Sequence, residues 1–273
     1  MKKVVQIDFI DDDLQNRLWS SLDIFYWYDA KRTYERTMDA ETYSVLFLKL
    51  WDEYFKKPVD TLRYFMTETI QEIRKFFFEK ASWYDIYDFM EKVVEYYPDE
   101  EKNKNFMGHC NSVLESEVSA YRFVGGKITQ ITSEVEISEI EEALEIPLKP
   151  VNTHLKTALD LLSNKKSPDY RNSIKESISA VESFCELISN KKIPLGQCLG
   201  EIETKIGRPI HGALRRAFES LYGYTSTAEG IRHALLDEPT LGFEDAKFML
   251  VSCSAFINYL VSKASKAGTK MWR

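Results

Sequence analysis

Apolar residues recur at steps of three and four along most of this 273-residue chain. That spacing puts them on one face of a helix and demands a second face to bury them against. Leu14, Leu18, Leu22 and Phe25 form one stripe, Tyr43, Phe47, Leu50 and Tyr54 a second, and Trp83, Tyr87, Met90, Val94 and Tyr97 a third. A Phe-rich apolar segment over residues 62–78 lies between the last two, and a shorter helix is expected over 105–119. In the second half, Val151, Leu155, Ala158 and Leu162 are followed by Ile174, Ile178, Val181, Cys185 and Ile188, then by Leu195, Leu199, Ile202 and Ile206. Ile210, Leu214, Ala217 and Leu221 give a further helix, with a stop expected at Gly223. A last one, from about residue 243 to 263, is apolar on nearly every side, as the central helix of a bundle is.

One segment breaks the period. Residues 121–131, Y-R-F-V-G-G-K-I-T-Q-I, alternate apolar and polar side chains on either side of Gly125 and Gly126. Two glycines supply the positive φ angles of a tight primed turn, so a β-hairpin is expected here. An acidic helix follows, started by Ser138 and stopped by Pro147, and Pro147 with Pro150 marks the entry to a second domain. The fold class is therefore predominantly all-α: a helical domain over 1–136 carrying one small hairpin, then a helical bundle over 137–273, with 133–150 able to pack on either. Within the bundle, Ser167-Pro168-Asp169 announces a helix: serine can cap the free amides, proline suits the first turn, and aspartate meets the positive helix end.

Composition narrows the function classes. At 44% hydrophobic and 29% charged the chain folds rather than staying disordered. The cysteines, Cys110, Cys185, Cys198 and Cys253, lack C-x-x-C spacing and a histidine at metal-ligand spacing, so a disulfide framework and a zinc site are not expected. Three aspartates follow the opening M-K-K-V-V-Q-I-D-F-I before a signal-length apolar core can form, and no stretch reaches a membrane span of ~20 apolar residues, so a cytoplasmic protein is expected. The net charge is −7, but residues 150–273 carry 17 basic and 13 acidic side chains, a balance that permits an RNA-binding face. Phosphate-loop, dinucleotide and nucleophile-elbow signatures are absent, and no cofactor or metal is expected.

Candidates for chemistry are few. Asn172, Glu176, Ser179 and Ser183 share one helix face with Arg171 and Lys175 beside them; this is either the solvent side of an amphipathic helix or the wall of a site. Arg232 and His233 follow Gly230 and precede A-L-L-D-E, where arginine suits a phosphate and histidine can move a proton near neutral pH. His154 reads as a helix boundary residue, His211 as a helix-start residue after Pro209, and His109 beside Cys110 has no partner at ligand spacing.

The strings S-P-D-Y-R-N-S-I-K-E-S-I-S-A-V-E (167–182), L-Y-G-Y-T-S (221–226), G-I-R-H-A-L-L-D-E-P (230–239) and E-D-A-K-F-M-L-V-S-C-S-A-F-I-N-Y-L (244–260) resemble the HEPN-type C-terminal region of AbiJ-like abortive-infection proteins. W-Y-D-I-Y-D-F-M-E (83–91), N-S-V-L-E-S-E-V-S-A-Y-R-F-V (111–124) and I-T-Q-I-T-S-E-V-E-I (128–137) resemble the AbiJ N-terminal domain. The resemblance implies a HEPN-like bundle that dimerises and cleaves RNA without metal, by attack of the ribose 2′-OH on the adjoining phosphate. It further implies a phage-defence toxin with an operon-encoded regulator, and the lack of a membrane-length apolar stretch leaves no membrane partner expected. The class motif is an arginine, a polar residue and a histidine four to six positions after the arginine. Arg232 and His233 match the first two, but the window holds Asp237, Glu238 and Pro239 in place of the histidine. In the implied site Arg232 holds the phosphate, His233 handles a proton, and Asp237 or Glu238 serves as acceptor only with a strongly raised pKa. Arg171, Asn172, Lys175 and Glu176 bind or orient from the neighbouring helix. The competing reading is a non-catalytic module that binds RNA or protein in a defence system, since function lives in the site and not in the bundle.

Overall fold

The computed structural model describes residues 4–33, 41–189, 195–207, 209–226, 241–266 and 268. The chain divides into two compact units, Met1–Thr132 and Ser133–Arg273. Both are helical; the only sheet among the described residues is one two-stranded hairpin.

Unit 1 is built from α1 (Asp12–Leu22), α2 (Tyr28–Thr33), α3 (Glu41–Lys49), α4 (Met66–Lys75), α5 (Trp83–Tyr96), α6 (Glu100–Ser116) and the hairpin β1 (Arg122–Val124) and β2 (Lys127–Thr129). Three helices end in π-helical turns, Asp23–Trp27, Leu50–Tyr54 and Phe76–Lys80, each dense in aromatic or bulky side chains. The expected stripes face inward: Leu14, Leu18, Leu22, Phe47, Leu50, Tyr87 and Met90 are fully buried. Aromatic rings fill the space between them largely edge to face, as Tyr26 with Phe106 at 4.9 Å, the arrangement ring quadrupoles favour. The helix expected over 105–119 begins earlier, because the Asp99 carboxylate accepts the Lys102 amide at 2.9 Å and caps α6 five residues ahead of the first strong apolar period.

The hairpin pairs Arg122 with Thr129, Phe123 with Ile128 and Val124 with Lys127. Gly125 and Gly126 take φ of 54° and 89°, a turn that a side chain would strain. Its polar groups are tied down from the helices. Glu91 on α5, 8% exposed, accepts the Ile128 amide at 2.9 Å, and Asn111 on α6 clamps both the amide and the carbonyl of Phe123. Val118, at the end of α6, has φ of 58°, costly for a β-branched residue. A parallel bridge holds it there: Gln6 donates its amide to Val118 O at 3.0 Å and accepts from Ala120.

Unit 2 contains α7 (Glu134–Glu145), α8 (Lys149–Ser163), α9 (Tyr170–Ser189), α10 (Leu195–Ile206), α11 (Gly212–Ser226) and α12 (Phe243–Lys266). The acidic α7 starts at Ser133, not Ser138, because the Ser133 hydroxyl takes the Glu136 amide at 3.4 Å while Ser138 sits mid-helix. It packs on α12, where Lys247 pairs with Glu136 at 3.0 Å and Asn258 donates to Glu139 O at 2.9 Å. α11 runs on through Gly223, three residues beyond the expected stop, and Leu214 on the anticipated stripe is exposed. α12 has the length and apolarity of a membrane span over an 18-residue window of mean hydropathy 1.2, yet half of that window is buried against neighbouring helices. Met249, Leu250, Phe256, Ile257 and Leu260 face inward from it, which is the pattern of a bundle's central helix.

Candidate functional site

Of the candidate residues that are described, Glu176 meets a titratable partner where α8 and α9 run side by side. The two helices lie close because α9 presents serine at the seam: buried Ser173 donates to Ala158 O at 2.8 Å, and buried Ser177 returns its proton to Ser173 O at 2.9 Å. Small side chains permit this approach. Ile174, Ile178, Val181, Cys185 and Ile188 then bury on one face of α9, which leaves its polar stripe on the flank towards α8.

The start of α9 is fixed by Asp169. Its carboxylate accepts the Asn172 amide at 3.0 Å and the Asn172 side-chain amide at 2.7 Å, while Ser167 lies in the preceding loop, its amide given to Asn164. Aspartate, not serine, is therefore the cap, and an anion at this position also meets the positive helix end. Asn172 is consequently an exposed capping partner. Lys175 is exposed, and Arg171, half-buried, occupies the same first turns.

Glu176 is the member of that stripe with a partner suited to chemistry. Its Oε2 lies 2.7 Å from Nδ1 of His154 on α8, and the two side chains keep 21% and 33% of their surface exposed. His154, expected to be a boundary residue, thus belongs to the site. A carboxylate on Nδ1 fixes the ring's orientation and, with the proton on Nδ1, leaves Nε2 free to accept one. The dyad is wet enough to reach a substrate and held by two helices that pack along their length. Sequence spacing could not reveal it, because the partners are 22 residues apart on separate helices.

Arg232, His233 and Asp237 lie outside the described residues. The other histidines have local duties: the His211 ring accepts the Ala213 amide at 3.3 Å at the start of α11, and His109 packs on Phe25. Three of the cysteine thiols are poor nucleophiles here. Hydrogen bonding to Cys198 and burial push Cys185 up, burial raises Cys110, and burial pushes Cys253 up to about 12, so all three stay protonated at neutral pH. Among the described residues no group of His, Cys, Asp and Glu could hold a metal ion.

No curated protein and no solved structure matches the chain. The family model for AbiJ N-terminal domain 4 matches residues 1–145, which takes in all of unit 1 and continues through α7. That stretch is more than half of the sequence, and the chain belongs to the AbiJ N-terminal domain 4 family.

Proposed function

We propose that this protein acts in phage defence by abortive infection and that its C-terminal unit is a HEPN-type, metal-independent endoribonuclease. Membership of an AbiJ domain family supports the association with abortive infection. The observation that carries the nuclease reading is the His154–Glu176 dyad at 2.7 Å, a carboxylate-oriented imidazole at an accessible helix seam with Arg171 and Lys175 on the adjoining turns.

In this reading a base removes the proton of a ribose 2′-OH. The 2′-oxygen forms a bond to the adjoining phosphorus, the bond from phosphorus to the 5′-oxygen breaks, and that oxygen takes up a proton. The products are a 2′,3′-cyclic phosphate and a 5′-OH. Imidazole suits both transfers at neutral pH, His154 through Nε2 and His233 as its counterpart. Arg232 binds the non-bridging phosphate oxygens as a planar fork, and two copies of the chain complete the site as a homodimer. Asp237 is then a secondary acceptor. RNA is the substrate, and unit 1 receives the infection signal or a regulator encoded beside the gene.

The absence of a histidine in the window after Arg232 favours a second reading, a non-catalytic RNA- or protein-binding module. Single replacements Arg232→Ala, His233→Ala and His154→Ala separate the two. Each is expected to abolish growth arrest on overexpression and RNA cleavage in vitro. Undiminished arrest and cleavage in all three would remove this site from the account, and an inert wild-type protein would leave the binding module.

A further inference from the structure

Unit 1 holds an open cleft of about 570 Å³ between the end of α1 and α4, a size typical of small-ligand sites. Its back wall is Trp19, 8% exposed and braced by Phe77 and Phe78 at 5.3 and 5.7 Å between ring centres. Arg74 lies over this wall, 4.5 Å from the Phe78 ring centre and 5.4 Å from that of Trp19. The attraction of the rings holds the guanidinium at this wall, and its N–H groups can donate to a ligand. Among the described residues Arg74 makes no ion pair, whereas Lys31 across the cleft is bound by Asp23 at 2.5 Å. The cleft therefore carries one uncompensated positive charge.

A second observation concerns shape. α1 opens into the π-helical turn Asp23–Trp27 at the cleft, and the widened turn carries Ile24 into solvent at 59% exposure. Exposed Ile24 lines the same space as buried Ile70, giving an apolar floor beside the cation. Gln71 and Thr67 line the rim, and neither side chain at the rim is engaged in a hydrogen bond among the described residues. One cation, a planar apolar wall and an uncommitted amide at one cavity match a phosphate joined to an aromatic ring that bears polar edges. Anionic membranes and acidic peptides call for several cations, and the cleft offers one.

We propose that this cleft binds a nucleotide, with its phosphate on Arg74, its base against Trp19, Ile24 and Ile70, and Gln71 reading the base edge. The nucleotide is either free or part of a single-stranded RNA; the chemistry is shared. The site is independent of the ribonuclease reading, which concerns unit 2.

The full chain is titrated calorimetrically with AMP, with inorganic phosphate and with a short 2′-O-methyl RNA, which the proposed nuclease cannot cut. AMP is expected to bind at least about tenfold tighter than phosphate, because apolar burial of the base adds to the shared anion contact. Arg74→Glu is expected to weaken AMP by roughly 10- to 100-fold, the loss of one charge-assisted hydrogen-bonding group. Ile24→Asp is expected to bring AMP down to the level of phosphate. Both side chains are exposed, so thermal melting confirms that the variants fold. Oligonucleotide binding that is tighter than AMP and weakened in Arg74→Glu assigns the cleft to RNA, and AMP binding tighter than that of the oligonucleotide assigns it to a free nucleotide. Equal affinity for AMP and phosphate in the wild type, no binding of any probe, or wild-type affinity in folded Arg74→Glu overturns the proposal.

Discussion

Replacing Glu176 with glutamine keeps the shape of the dyad and removes its charge. Because the His154 and Glu176 side chains retain 33% and 21% of their surface, solvent screens their attraction, and an ion pair of that kind contributes about 0.2–1 kcal/mol to stability. For a unit of this size such a loss lowers the melting temperature by no more than roughly 5 °C. Activity behaves differently if the pair positions a proton-transfer group. Glutamine can still accept from Nδ1 but no longer stabilises the imidazolium, and it can also donate, which selects the wrong tautomer; the rate is expected to fall about 100- to 10,000-fold. His154→Ala falls as far, and the double variant falls no further, because the two residues act as one device. The assay is cleavage of a labelled RNA across pH beside a thermal melt of each variant. A melting temperature down by more than 10 °C with activity lost only in proportion, or cleavage within threefold of wild type, would refute the role.

Three further outcomes follow from unit 1. Asn103 is 7% exposed, donates to Val94 O and Tyr97 O at 2.9 and 2.8 Å and accepts from Tyr26 at 2.8 Å, so Asn103→Ala strands three polar groups and costs about 2–5 kcal/mol by denaturant titration read on tryptophan fluorescence; a loss below 1 kcal/mol contradicts the clamp. Val118→Gly relieves a left-handed residue at φ 58° and is expected to stabilise by up to about 1 kcal/mol, whereas a destabilised variant means that the turn is not strained. Burial raises Tyr26, Tyr43, Tyr54 and Tyr87 well above the ordinary tyrosine value of about 10. The unfolded chain therefore gives up these protons first, so their contribution is intact below that value and stability falls as pH rises above it. Ultraviolet titration should show these four phenols ionising only as the protein unfolds, and ionisation of them in the folded state contradicts their burial.

Much of the fold was legible because it rests on local rules. Stripes at three- and four-residue steps marked the helices, and Gly125-Gly126 marked the hairpin since only a turn with two positive φ angles needs both. What escaped depended on competition or distance. Ser133 displaced Ser138 as the start of α7 because either serine satisfies the local rule and only packing on α12 decides. Gly223 failed to stop α11 because a glycine costs a helix only about 1 kcal/mol, which neighbouring turns absorb. The π-helical turns were not marked by any spacing or capping signal in the sequence. At the site, Glu176 was visible as one polar position on α9, but its meaning came from His154 on α8, whose selection required the serine seam that brings the helices together.

If the proposed ribonuclease works with side chains alone, removing divalent ions leaves its cleavage intact. Purified full-length protein incubated with total RNA in excess chelator, with the fragment ends then identified, tests it most directly. Undiminished cleavage is expected, with fragments ending in 2′,3′-cyclic phosphate and 5′-OH. Intact RNA, cleavage that stops when divalent ions are removed, or 5′-phosphate ends would contradict it.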